Sequence, residues 1–137
     1  MKNYLFVYGT LRKNYDLKLK EKVKGGLAYV GQAKIGAALY DIGRYPGAVK
    51  DRTGKEVVGD VFLVSDPAAV FGVLDKYEGF EERRAADSEF VRRKGKVRLR
   101  GGKELNAWIY WYNFDPAGKT MIRYKDYLNY LKNKSIH

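Results

Sequence analysis

NYLFVYGTLRK, residues 3–13, is an apolar run that stops abruptly at Gly9-Thr10 and a positive charge. Tyr4–Tyr8 is β-branched and aromatic without polar alternation, the pattern of a strand buried on both sides. The next segment is different in kind. Asp16–Val23 is polar and lysine-rich with only Leu17, Leu19 and Val23 as apolar anchors, and predicts a short, poorly amphipathic helix. The stretch therefore opens a sheet, and its glycine is either the turn that ends a strand or a backbone cradle for a ligand.

Downstream of it, Ala28 to Val64 reads as several strands punctuated by turns: YVGQAKI, AALYDI, AVK and EVVGDVFLV. Asp51-Arg52-Thr53-Gly54-Lys55 has hairpin chemistry, because Gly54 can take the positive φ of a tight turn. Tyr45-Pro46-Gly47 marks another sharp bend. Ser65-Asp66-Pro67 then signals a helix start, with Asp66 as N-cap and Pro67 at the first helical position. Val70, Val73, Leu74 and Tyr77 come next at helical spacing, and Gly79 stands where a glycine cap ends the helix. Glu78 falls in or just after its last turn.

Residues 89–114, EFVRRKGKVRLRGGKELNAWIYWYNF, predict two or three further strands with Gly101-Gly102 as a hairpin turn. Tyr124, Tyr127, Leu128 and Leu131 repeat at helical spacing in a closing amphipathic helix. Strands outnumber helices, and the helices fall between or after runs of strands. The fold class is α+β, with a mixed, strongly curved or barrel-like sheet.

Composition narrows the chemistry. The 137 residues fit one compact domain, 1–137, with no linker or repeat. No stretch approaches the roughly 20 apolar residues of a membrane span, so a soluble, cytoplasmic protein is expected. There is no cysteine, and the one histidine is His137. Thiolate catalysis, a Ser-His-Asp triad and a multi-histidine metal site are excluded, leaving carboxylates, tyrosines and lysines for acid–base work. The net charge of +11 is concentrated in LKLKEKVKGG (17–26) and RRKGKVRLRGGK (92–103). Such an excess attracts anions, including nucleic acid. In KVRLR, however, Val97 and Leu99 alternate with Lys96, Arg98 and Arg100, as in a half-buried strand with its charges in water. No RNP-type motif, zinc-finger spacing or helix-turn-helix accompanies them.

Two candidate sites remain. Leaving a strand, Gly9-Thr10-Leu11 lets the backbone approach a ligand closely, its N–H groups can converge on an oxygen, and Arg12 would strengthen the hold on an anion. It is not a P-loop, for no Gly-Lys-Ser/Thr comes after it. Glu78, at a helix C-terminus, faces the negative end of the macrodipole; partial burial would add desolvation, and both raise a carboxyl pKa toward neutrality. Glu81 and Glu82 push the same way while Arg83 and Arg84 oppose. From spacing alone each feature is more simply a turn and an exposed acid.

Taken together, VYGTLR (7–12), LYDIGRYPGAV (39–49), VVGDVFLV (57–64), VLDKYEGF (73–80) and FVRRKGKV (90–97) resemble the γ-glutamylcyclotransferase-like family, which includes the γ-glutamylamine cyclotransferases. The resemblance runs from about Tyr4 to about Tyr112, and the pairing of YGTLR with a downstream LDxxEG is its specific part. It implies a small mixed barrel flanked by helices. It also implies a reaction in which the α-amine of a γ-glutamyl group attacks its own γ-carbonyl, releasing an amine and 5-oxoproline without metal or cofactor. Carried over by motif, Glu78 is the general base and acid, while Tyr8, Gly9, Thr10 and Leu11 form the loop that binds the glutamyl moiety. Arg92 and Tyr112 fall where the barrel strands would supply supporting polar groups. Two departures, Phe90 in place of a tyrosine and Asp60 in place of a glutamate, bear on substrate positioning. A non-catalytic small-molecule-binding module on the same fold is the alternative, and a basic nucleic-acid-associating protein the weaker one.

Overall fold

The computed structural model describes residues 2–9, 23, 25–43, 45–123 and 125–136. The helix expected over Asp16–Val23 lies outside them apart from Val23, as do Thr10, Leu11, Arg12 and Tyr124.

The elements run β1 (Asn3–Val7), β2 (Leu27–Asp41), β3 (Pro46–Lys50), β4 (Glu56–Val64), α1 (Pro67–Glu78), a 3₁₀ segment (Glu82–Asp87), β5 (Phe90–Leu99), β6 (Glu104–Tyr112), β7 (Thr120–Ile122) and α2 (Tyr127–Ile136). Five of the strands close a mixed barrel. β2 pairs with β4, β4 with β1, β1 with β6, β6 with β5, and β5 returns to β2 through Ala33 and Lys34. The β1–β6 pair is parallel and the others are antiparallel. Closure of the ring satisfies the backbone groups that an open sheet would leave at its edges.

The double-sided burial expected of Tyr4–Tyr8 has a concrete cause in this ring. Side chains alternate across a strand, so Phe6 and Tyr8 join Ile35, Val61, Val97 and Ile109 in the barrel interior. Leu5 and Val7 face the other way, into a second core with Phe62, Val70, Phe71, Leu74, Phe90 and Tyr110. α1 lies over this outer face, burying Val70, Phe71 and Leu74. Asp66, in the left-handed region at φ 51°, accepts the N–H of Ala69 at 3.4 Å; Pro67 opens the helix, and Gly79 at φ 72° closes it with its N–H on the carbonyls of Asp75 and Lys76. The caps read from the sequence thus fix where Glu78 stands.

Three details differ from the sequence reading. YVGQAKI and AALYDI are one 15-residue strand, β2, which passes through Gly36 without a break. Asp51–Lys55 does not join a β3–β4 hairpin: β3 pairs with Ala37–Asp41 and β4 with Leu27–Gly36, so both lie in tandem along β2. The loop between them bulges out, pinned by Ala37 N–H on the Lys55 carbonyl and by Asp51 Oδ1 accepting from Thr53 N–H at 2.6 Å. Thr53 and Gly54 carry turn chemistry in either arrangement, which is why local pattern does not distinguish them. Tyr45-Pro46-Gly47 is likewise not only a bend, since Pro46 and Gly47 begin β3. Gly101-Gly102 does close the β5–β6 hairpin. No helix among the described residues is long and apolar enough to cross a membrane.

Candidate active site

A cavity of about 250 Å³ opens where the C-terminal end of β1 meets the C-terminal end of α1. Its size is near the lower limit of small-ligand sites, roughly 300–1,000 Å³. β1 supplies Phe6, Val7, Tyr8 and, just beyond it, Gly9; α1 supplies Leu74, Tyr77 and Glu78; Tyr45 and Pro46, Glu89 and Phe90, and Tyr110 complete the wall. Gly9 and Glu78, 69 positions apart in the chain, share it.

Glu78 is half-buried as a residue, with no hydrogen-bond or ion-pair partner among the described residues. Desolvation by the cavity walls, and to a lesser extent the charge of Glu89, pushes its pKa from 4.5 up to about 7. Its place in the last turn of α1, at the negative end of the helix dipole, acts in the same direction. A carboxyl poised near neutrality can both take and return a proton.

Gly9 gives the close approach that the sequence leaves open. A Cβ there would come within 3.2 Å of Pro46 Cγ, a tight contact that would push the chain slightly away from the start of β3. Thr10 and Leu11 are beyond the described residues. Tyr8 lines the cavity, but its hydroxyl is committed to the scaffold: it donates to the Tyr110 carbonyl at 2.6 Å and accepts from Ala48 N–H at 3.1 Å. Burial holds its phenol protonated well above the usual range. Tyr8 therefore ties β1 to β6 and β3 around the pocket.

Arg92 and Tyr112 are not brought into the cavity wall. Arg92 grips Asp75 with both ends of its guanidinium, Nε to Oδ1 at 2.8 Å and Nη2 to Oδ2 at 3.1 Å. Its Cζ lies 4.2 Å from the Phe71 ring centroid and 4.6 Å from that of Trp108. Asp75 also accepts the Tyr110 hydroxyl at 2.6 Å, and the Tyr110 ring faces the cavity. Arg92 thus reaches the pocket through Asp75 and Tyr110. Tyr112 packs edge-on against Phe90, one layer behind the wall, where a Cβ on Gly47 would come within 2.8 Å of it.

The residues the sequence does not single out are Tyr45, Glu89 and Tyr110. The Tyr45 hydroxyl donates to Glu89 Oε1 at 2.6 Å, and burial followed by this bond pushes the phenol up to about 12. Tyr45 stands inside LYDIGRYPGAV, where it passes for turn punctuation. Glu89 has no local signal, because the contact that orients it spans 44 residues of chain. Among the described residues no basic side chain lines the cavity.

Comparison with known proteins bears on this arrangement. Residues 5–129 match the model of a family described as gamma-glutamyl cyclotransferase, AIG2-like. A protein of Methanocaldococcus jannaschii, provisionally named a gamma-glutamylcyclotransferase, is 31% identical over 130 residues, covering 93% of this chain and 97% of its own. Among solved structures, an AIG2-like protein from Mus musculus superposes with a TM-score of 0.73 at 19% identity, covering 92% of this chain and 88% of the other. An uncharacterised protein from Pyrococcus horikoshii does so with a TM-score of 0.64 at 24% identity and 98% coverage of both chains. At those identities the two structures share the fold.

Proposed function

The chain belongs to the AIG2-like gamma-glutamyl cyclotransferase family, and from that premise and the geometry of the cavity we propose that it cyclises a γ-glutamyl group to 5-oxoproline, with Glu78 as general base and then general acid. The observation that carries the reading is the Glu78 carboxyl, without a partner among the described residues, in the same cavity as Gly9.

The substrate brings its own nucleophile. Its α-nitrogen attacks the γ-carbonyl carbon and closes a five-membered lactam, while the bond from that carbon to the leaving amine breaks. Glu78 takes the proton given up by the attacking nitrogen and passes it to the departing one, so it ends as it began. The protein's remaining task is to hold the chain of the glutamyl group folded, since closing a ring inside one molecule gains its rate from proximity. The family resemblance assigns the carbonyl oxygen, where negative charge develops, to backbone N–H groups of Gly9-Thr10-Leu11. Tyr8, fixed to Tyr110 and Ala48, holds the end of β1 and the adjoining Gly9 in place. Thr10 and Leu11 keep the glutamyl-binding role that the family resemblance gives them, and Arg92 acts as a support through Asp75 and Tyr110.

Incubation with a panel of γ-glutamyl amines and γ-glutamyl amino acids, followed by mass spectrometry for 5-oxoproline, tests the proposal. Product from at least one member, abolished in Glu78→Gln, is expected. A panel without product leaves the cavity as a binding site only, and product formed equally well by Glu78→Gln removes the role given to that residue.

A further inference from the structure

The cavity is acidic on a chain that is strongly basic. Glu78 and Glu89 both line it, and among the described residues no lysine or arginine faces it, although lysine and arginine outnumber acids 27 to 16 in the sequence. Arg92, two residues beyond the cavity residue Phe90 on β5, is taken up by Asp75. Glu89 is also not a loose surface acid. Tyr45 donates to it at 2.6 Å, and that tyrosine ring packs on Phe90, the next cavity residue along the chain, at a centroid distance of 5.6 Å. A carboxylate oriented by a rigid aromatic, in a cavity that among the described residues holds no cationic side chain, is a seat for a cation.

We propose that Glu89, held by Tyr45, is a positioning residue that receives the α-ammonium group of the substrate. The inference rests on the γ-glutamyl reading above and adds to it a residue and a direction. Before reaction the α-nitrogen carries a positive charge and is drawn to Glu89, close to Glu78; it loses two protons on the way to the lactam N–H, one passed by Glu78 to the departing nitrogen and the other taken up by the freed amine, which leaves as an ammonium. After reaction the same nitrogen is a lactam N–H without charge, while the α-carboxylate remains negative. Its attraction to Glu89 is gone and only repulsion is left. The charge that seats the substrate therefore favours release of the product, and one oriented carboxylate separates two ligands that otherwise share most of their atoms.

The experiment compares two probes that differ in this nitrogen: L-glutamine, with an α-ammonium and a neutral γ-amide, and 5-oxoproline. Equilibrium binding of each is measured on the wild type, Glu89→Gln and Tyr45→Phe. Glu89→Gln keeps an acceptor for Tyr45 and removes the charge, so L-glutamine binding weakens about tenfold or more, as for loss of a charged hydrogen bond. 5-Oxoproline binding stays the same or tightens. Tyr45→Phe gives a smaller loss for L-glutamine alone. On the wild type, the analogue of L-glutamine lacking its α-amine, glutaric acid monoamide, binds about tenfold more weakly than L-glutamine, a comparison that needs no variant. Equal weakening of both probes in Glu89→Gln would mark a structural role only, and no weakening of L-glutamine would overturn the proposal outright. A wild type that does not distinguish L-glutamine from its amine-free analogue also overturns it. If the panel gives no 5-oxoproline while the probe preference depends on Glu89, the cyclisation reading falls and the cation seat stands. Product formation with an unchanged preference in Glu89→Gln has the opposite meaning: cyclisation stands and the cation seat falls.

Discussion

Asp75 and Glu78 stand three residues apart at the end of the same helix, and their surroundings give them opposite characters. Asp75 accepts two bonds from Arg92 and one from the Tyr110 hydroxyl, all between 2.6 and 3.1 Å. Glu78, one turn further on, meets no cation among the described residues and shares its cavity with a second acid, Glu89. Two carboxylates on one α1 surface are thus divided by what the barrel strands present to them. β5 and β6 offer Asp75 a guanidinium and a phenol, so its charge is fully used in joining helix to barrel. Toward Glu78 the chain offers aromatic rings and the backbone of β1, and the charge is left costly enough to titrate near 7. The first carboxylate is cement; the second is available for chemistry.

The largest effect that separates them is on turnover. With Glu78 as the proposed acid–base group, Glu78→Gln is expected to lower kcat by about 10²–10⁴, the usual contribution of such a group, while the unfolding free energy at neutral pH holds or rises, because a desolvated charge is removed. Asp75→Asn does the reverse. It leaves Arg92 and Tyr110 incompletely paired in a region where the Arg92 and Asp75 side chains are only 18% and 22% exposed, and costs about 2 kcal/mol in urea unfolding. A loss below about 0.5 kcal/mol would place this pair with ordinary surface ion pairs and erase the contrast.

A smaller effect is the dependence of stability on pH. Glu78 titrates near 4.5 when unfolded and about 7 when folded, so between those values the folded chain binds the extra proton. Its contribution therefore declines as pH rises from about 4.5 through about 7 and is level above that. Glu78→Gln flattens this part of the curve. With Glu78 in the proposed role of general base, activity runs the other way: its base form grows in over the same range, and kcat/KM is expected to increase toward and just above pH 7. The smallest effect belongs to Gly9→Ala: the new Cβ meets Pro46 at 3.2 Å, shifts the loop slightly and raises KM several-fold with little change in melting temperature.

The same contrast marks how far the sequence can be read. Caps and periodicity are local, and Asp66, Pro67 and Gly79 are enough to put Glu78 at a helix end. The buried run Tyr4–Tyr8 is enough to place β1 between two cores. Pairing is not local. Nothing in Asp51–Lys55 tells a hairpin from a bulge between two strands that share one partner, and nothing around Glu89 announces Tyr45. The family resemblance gives Arg92 a supporting role at the site, whereas its bonds go to Asp75 on α1, 17 positions away in sequence. Gly9 and Glu78 become half of one proposal only through family resemblance; what places them in one cavity is the packing of α1 on the outer face of β1.

The most direct test of this division is the titration of Glu78 itself, followed by NMR in protein carrying glutamate labelled with ¹³C at the side-chain carboxyl. One glutamate signal with a midpoint near 7 is predicted, lost in Glu78→Gln and retained in Asp75→Asn. A Glu78 signal that titrates near 4.5 would mean that its carboxyl is solvated like any surface acid, and would contradict the account.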